Sequence, residues 1–376
     1  MQKNEPSSSH LGYSILYDFQ MFQLQRFGGI SRYFCEIIHR MSLPYDIAVR
    51  YSKNYYLSAY HLGKHRIPLP HFVYNLFRRH FERKNRLLAT KLIRNSKDYI
   101  LHPTYYNFYF LDYIGNNPFV ITVHDMIHEK FSQYIPNAND TVFYKAKVIP
   151  QAARIIAISE NTKKDIIDIL HIDPEKIDVI YHSTSMKPVT HYKLKLPERF
   201  LLYVGDRTSY KNFERFVRVF SLLSKEDPSL HAVCTDRKFN ASELELLASL
   251  HIQDRIRLIK ASDRDLSELY CRAKLFVYPS LYEGFGIPIL EAYACHCPVV
   301  LSNTSCFPEI AGEAGCYFDP YSEESMTEAI RSVLYDEEKR QRLIKAGDER
   351  LKLYSWEKAA KQTEAVYRKV INEYYK

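Results

Sequence analysis

Glycine is scarce in this chain, at 11 of 376 residues, about 3% where roughly 7% is usual. A chain that avoids glycine and still keeps a few marks backbone positions that tolerate little else. Five of the eleven fall at three places: Gly28–Gly29, Gly205, and Gly284 with Gly286. Cysteine is also sparse. Seven scattered thiols are too few for a disulfide scaffold, so a reducing cytoplasm is expected. No apolar run approaches the ~18 residues of a membrane-crossing helix. Met1–His10 is polar and lacks the apolar centre of a signal peptide. There is one Trp, although 31 Tyr and 21 Phe raise the aromatic share to 14%. No internal repeat or low-complexity tract appears.

With 46% hydrophobic and 26% charged residues, the composition is that of a soluble globular protein. Its length exceeds one ordinary core, so two domains are expected. The charge is lopsided. Residues 1–185 carry 23 Lys and Arg against 16 Asp and Glu, and the remainder carries 29 against 28. One basic and one neutral half argue against a nucleic-acid partner for the whole protein.

Apolar runs alternate with amphipathic stretches, the mark of βαβ units and parallel sheets. In the first half the pattern predicts strands at Tyr13–Tyr17, Phe119–Val123, Ile155–Ile158 and Val179–Tyr181, with helices at Gly29–Met41 and Glu160–Leu170. Lys187–Pro197 lacks periodicity, holds two prolines and reads as a linker. The alternation then restarts. Strands are predicted at Phe200–Val204, His231–Thr235, Ile256–Ile259, Leu275–Pro279 and Pro298–Ser302, with helices at Asn212–Ser224, Ala241–Leu250, Leu266–Arg272 and Pro288–Ala294. Ser355 reads as the cap of a last helix that reaches Tyr374. The expected organisation is a Rossmann-like domain over 1–186, a linker over 187–197, a second such domain over 198–354, and a helix over 355–376 packing back on the first. Ligands of such sheets bind at the carboxyl ends of the strands, which predicts an interdomain cleft with a substrate on each side.

The densest motif is Pro279-Ser-Leu-Tyr-Glu283-Gly284-Phe285-Gly286-Ile287-Pro288-Ile-Leu-Glu291-Ala292. A strand, a glycine-flanked turn and a first-turn proline present free backbone N–H groups that attract a phosphate. Glu283 and Glu291 would repel that phosphate and suit hydroxyl groups instead. Phosphate between two polyol groups describes a nucleotide sugar.

This stretch resembles the E-x7-E motif of retaining GT-B glycosyltransferases of family 4, the group 1 transferases. Gln25-Arg-Phe-Gly28-Gly29-Ile30-Ser31-Arg32-Tyr33-Phe34 resembles that family's amino-terminal glycine loop, and Val204-Gly205-Asp206-Arg207-Thr-Ser-Tyr-Lys211-Asn212 its basic motif. Val299-Val300 through Pro308-Glu309-Ile310, then Gly312 and Gly315, resemble its usual continuation. The resemblance runs from about Tyr13 to the last helix. It implies an α/β GT-B fold and a metal-independent hexosyltransferase with no cofactor. The first domain would bind the acceptor and the second the nucleotide sugar.

By the same resemblance, Glu283 would bind donor-sugar hydroxyls and Glu291 the ribose. Amides around Phe285, Gly286 and Ile287 would face the diphosphate, and Gly28 and Gly29 would approach it from across the cleft. Arg207 and Lys211 would neutralise it as it leaves; in isolation these two cations read as a solvated turn. His124, at the end of the strand Phe119–Val123, would meet the sugar near the reacting carbon. The resemblance favours GDP-mannose over a UDP-hexose as donor. It favours a glycan or lipid-diphosphate-linked acceptor in surface polysaccharide assembly, at the inner face of the cell membrane. A same-fold phosphorylase or epimerase and a non-catalytic nucleotide-sugar-binding subunit are the alternatives.

Other signals are weaker. His124-Asp-Met-Ile-His128 mimics a zinc helix but has Asp for the general-base Glu and follows a strand. Asp263-Arg264-Asp265 could hold a divalent metal, yet it precedes a helix, where Ser262 or Asp263 reads better as a cap. Cys295-His296-Cys297 has no second pair to complete a zinc geometry. Between His71 and Asp98, eight cations interleave with aromatic and aliphatic residues. That segment is either a solvated helix face or a patch for an anionic membrane, with Phe77, Phe81 or Leu88 reaching the interface.

Overall fold

Short strands, the central ones apolar and buried on both faces, build two parallel sheets. The computed structural model describes residues 13–67, 69–135 and 137–375, and Met1–His10 lies outside them. The first half supplies β1 (Ser14–Tyr17), β2 (Tyr45–Ile47), β3 (Tyr99–His102), β4 (Val120–Val123), β5 (Arg154–Ala157) and β6 (Ile177–Val179). Their order is β2-β1-β3, then β4-β5-β6, every pairing parallel. A parallel bridge between Leu101 and Phe119 joins the two triplets edge to edge. The second half supplies β7 (Phe200–Tyr203), β8 (His231–Thr235), β9 (Ile256–Ile259), β10 (Leu275–Tyr278), β11 (Val299–Ser302) and β12 (Gly315–Phe318). They form one sheet in the order β12-β11-β10-β7-β8-β9.

Each sheet has one place where the chain departs in opposite directions. In the first it lies between β1 and β3, and in the second between β7 and β10. Such switch points leave a crevice outside the carboxyl ends of the strands. The motif after Pro279 follows β10 directly, and Gly205 follows β7.

The last helix, Trp356–Tyr374, is opened by Ser355, whose side chain accepts from the Lys358 N–H. It packs into the core of the first half: Tyr367 shares a 2.8 Å hydrogen bond with Tyr17 and a 2.6 Å one with His102 Nδ1. Residues 187–197 hold no helix or strand. They are tied to the second half by Glu268, whose carboxylate accepts from the Lys193 and Leu194 N–H groups.

Several elements differ from the sequence pattern. β2, β3 and β12 are three or four residues long, and segments that short carry little periodicity. The helix expected from Leu266 begins at Asp263, because Ser262 forms a capping box with Asp265. That commits the Asp265 carboxylate to the helix start. The 71–98 region is two helices, His71–Leu76 and Arg78–Asn95.

Candidate functional site

The turn after β10 brings the chemistry together. Gly286 adopts φ +83° and starts the helix Ile287–Ala294 with Pro288 in its first turn. A Cβ at Gly284 would land on the carbonyl oxygen of His124, so glycine here is a requirement of close approach between the two halves. Ser159, the cap of the helix Glu160–Leu170, donates to the Gly284 carbonyl at 2.7 Å. The Tyr282 hydroxyl donates to Asp165 at 2.6 Å and accepts from the Met126 N–H at 3.2 Å. The acidic loop is thus clamped to the segments that follow β4 and β5.

Glu283 lies 2.6 Å from Lys211 Nζ, and both side chains are largely shielded from water. Burial opposes the Lys211 charge, but Glu283, Tyr210 and Asp206 more than offset it and hold the ammonium above its ordinary pKa. One turn into the helix, Glu291 is buried and accepts from Tyr270 at 3.4 Å. Burial pushes its carboxyl up to about 7, with Arg32 opposing. Arg32, from the helix Gly29–His39, reaches across the cleft to within 3.8 Å of Glu291. Gly28 caps that helix, and Gly29 faces the Ile287 side chain.

His124 is buried at the end of β4, and its Nε2 has no hydrogen-bond partner among the described residues. Burial lowers its pKa to about 4, with Asp125 opposing and Lys145 adding to the fall. At neutral pH the ring is uncharged, able to offer a hydrogen bond without repelling positive charge at a sugar carbon. The Phe285 ring is buried against His182, 5.1 Å between centroids, so only its backbone can face the anion site. Gly205 donates to Thr235 at 3.1 Å. It borders a cavity of about 850 Å³ beyond β7, β8 and β9, lined in part by Leu258, Leu266 and Lys260.

Arg207 is a correction. The resemblance assigns it to the leaving diphosphate, but its side chain is fully buried inside the loop after β7. Nε donates to Glu243 at 2.9 Å, and the other nitrogens donate to the carbonyls of Thr235, Arg237 and Lys238. Arg207 holds the loop that carries Lys211. Arg207→Ala is expected to cost about 3–5 kcal/mol of stability, because it leaves Glu243 buried without its partner. A thermal midpoint within a degree or two of wild type would contradict this role.

Arg32, Ser159, His182 and Tyr282 were not singled out from sequence. Arg32 stands inside the quoted glycine loop and Tyr282 inside the quoted acidic motif, where both could have been found; Ser159 and His182 carry no spacing signal. Among the described residues, no group of three His, Cys, Asp or Glu side chains is arranged to hold a metal. The seven thiols are free. No described helix is long and apolar enough to cross a membrane.

Both halves of the chain are similar to known proteins. Residues 27–185 match the family described as Glycosyltransferase Family 4, and residues 190–350 match Glycosyl transferases group 1. The O-antigen chain mannosyltransferase B of Escherichia coli is 30% identical over 295 residues, covering 73% of this chain and 76% of that protein. The O-antigen chain mannosyltransferase RfbU of Salmonella typhimurium is 28% identical over 234 residues, 58% of this chain and 65% of that protein. Among solved structures, the sucrose-phosphate synthase of Thermosynechococcus elongatus superposes with a TM-score of 0.74 at 19% identity. That alignment covers 96% of this chain and 99% of that one, and it shows a shared fold.

Proposed function

Because the chain belongs to glycosyltransferase family 4, the group 1 transferases with a GT-B fold, we propose that it moves mannose from GDP-mannose, with retention of configuration. The acceptor would be a glycan or a lipid-linked sugar in surface polysaccharide assembly. The observation that supports this reading is the clamped loop of residues 282–286, in which Glu283 pairs with Lys211 and Gly284 lies against the carbonyl of His124 just before the helix start at Ile287. The mannosyl preference rests on what the two relatives are named for.

The roles follow from charge. The helix amino terminus and Lys211 stabilise the diphosphate as its bond to the sugar breaks. Glu283 accepts hydrogen bonds from sugar hydroxyls. Its ion pair with Lys211 is the resting arrangement, and the diphosphate takes up the cation when the donor enters. Glu291 accepts from the ribose, and the cavity beside Gly205 takes the base between Leu258 and Leu266. Neutral His124 faces the reacting carbon. Residues 71–98 are proposed to rest on the inner face of the cell membrane.

The test is a transfer assay with GDP-mannose, UDP-glucose and UDP-N-acetylglucosamine, following release of nucleoside diphosphate and the anomeric signal of the product. Turnover with GDP-mannose, an axial product linkage and activity surviving excess EDTA are expected. A preference for a UDP-sugar, or activity lost to EDTA and restored by manganese, would overturn the donor or the counter-charge assignment respectively. Binding also has a pH signature. Ribose hydroxyls favour the ionised carboxylate, and Glu291 ionises near 7, so GDP affinity should rise as pH increases through that value. Glu291→Gln should flatten the rise; an unchanged profile in that variant would remove Glu291 from the ribose.

A further inference from the structure

Arg32 stands where its own helix does not explain it. It is the fourth residue of the helix Gly29–His39, near the end where the helix dipole disfavours a cation. Its side chain is only 14% exposed and approaches three carboxylates, Glu36, Asp263 and Glu291, at 3.8 Å each. That distance is too long for a hydrogen bond, so Arg32 acts on them through its charge. The Tyr56 ring lies 5.9 Å from the guanidinium and backs it on the side of the first half.

The three carboxylates do not need this cation equally. Glu36 is already satisfied: it accepts from Tyr60 at 2.7 Å, from Ser185 at 2.5 Å and from Arg40 at 2.5 Å. Asp263 is 64% exposed, and water screens such a pair. Glu291 differs from both. It is buried, and its one hydrogen-bond partner among the described residues is the Tyr270 hydroxyl at 3.4 Å. A buried carboxylate with so little support depends on a neighbouring cation for its charge. The groups that face it are Arg32 from the first half and Asp263 and Tyr270 from the helix Asp263–Arg272, with Glu36 and Tyr56 behind Arg32. Within that set Arg32 is the cation.

We infer that Arg32 is a positioning residue: from the first half it keeps the Glu291 carboxylate of the second half charged and ready for the ribose. Cation and carboxylate belong to different halves, so recognition of the nucleotide depends on both. The inference rests on the reading of Glu291 as the ribose ligand and adds what prepares it.

The experiment has two readouts on the full chain. The first is infrared difference spectroscopy of the nucleotide-free protein between pH 5 and 9. Each chain is compared with its own Glu291→Gln partner, which isolates the C=O band of the protonated Glu291 carboxyl. Wild type should titrate at about 7. In Arg32→Ala the midpoint should move up to about 8 or above, since a cation this close lowers a carboxyl by roughly 1–3 pH units. Arg32→Lys should restore most of the difference. Asp263→Asn, at an exposed side chain, should move the midpoint down, because it removes the repelling acid.

The second readout is the pH dependence of GDP and UDP affinity. With a midpoint of about 7, about half of the carboxylates are ionised at pH 7; with one of about 8, about a tenth are. At pH 7 Arg32→Ala should therefore bind either nucleotide about fivefold more weakly than wild type or worse. The gap should narrow toward pH 9 and vanish in the Glu291→Gln background. An unmoved midpoint in Arg32→Ala, or an affinity loss equal at pH 7 and 9, would overturn the inference. A moved midpoint with nucleotide affinity insensitive to pH in every variant would uphold the pairing of Arg32 with Glu291 and count against the ribose reading of Glu291.

Discussion

Lys211→Ala is expected to lower kcat by roughly 10²-fold or more, the usual cost of removing a preorganised charge from a leaving group. Lys211 is the cation that the loop after β7 holds against the acidic turn, 2.6 Å from Glu283, while Arg207 is committed to Glu243. Nucleotide affinity should fall as well, because the diphosphate remains on the product. Glu283→Ala should separate the two effects: turnover drops sharply, while GDP affinity stays within a few-fold, since Glu283 is proposed to meet the sugar and not the nucleotide. The pair shares one contact, so the double variant should lose less than the product of the single losses. Turnover within a factor of two of wild type for both single variants would sink the scheme. Collapse of GDP binding in Glu283→Ala with turnover intact would reassign that residue.

What was legible in sequence was whatever depends on local spacing. The helix Glu160–Leu170 and the strands His231–Thr235 and Ile256–Ile259 occupy the predicted residues, because each pairs a clean apolar period with clear punctuation. The acidic motif was legible because strand, turn, glycines and first-turn proline are contiguous. β2 and β12 were not, since an edge strand of three or four residues owes its pairing to its neighbour rather than to its own pattern. The fate of Arg207 was equally hidden. The resemblance set it with Lys211 at the diphosphate, but Glu243, which neutralises it, lies 36 residues further on. Contacts that cross between halves, such as Arg32 with Glu291 or Tyr282 with Asp165, exist only once both sheets are in place. No window of sequence holds both partners.

The chain is also expected to sediment with vesicles rich in anionic lipid, through one face of the first half. On the helix Arg78–Asn95, the positions facing the core are Phe81, Asn85, Ala89 and Ile93. Phe81 stacks on Tyr51, 4.4 Å between centroids, and Leu88 is partly buried, so neither dips into an interface as the sequence pattern suggested. Arg79, Arg83 and Arg86 line a cavity of about 580 Å³ in the first half. The third side carries Lys84, Leu87 and Lys91, and beside it Phe72, Leu76 and Phe77 are all more than half exposed. Aromatic and aliphatic side chains flanked by lysines fit the boundary between headgroups and acyl chains. Each Lys or Arg at such a surface contributes about 1 kcal/mol, fading within a Debye length of ~10 Å at 0.1 M salt. Lys84→Glu with Lys91→Glu removes two attractions and adds two repulsions, about 4 kcal/mol in all, so partitioning should fall by roughly 10³-fold. Leu76→Ser with Phe77→Ser should weaken binding even at low salt, where charge alone would hold. GDP binding by these variants reports an intact donor half. Equal sedimentation with neutral vesicles, or none with anionic vesicles at low salt, would return this face to ordinary solvated surface.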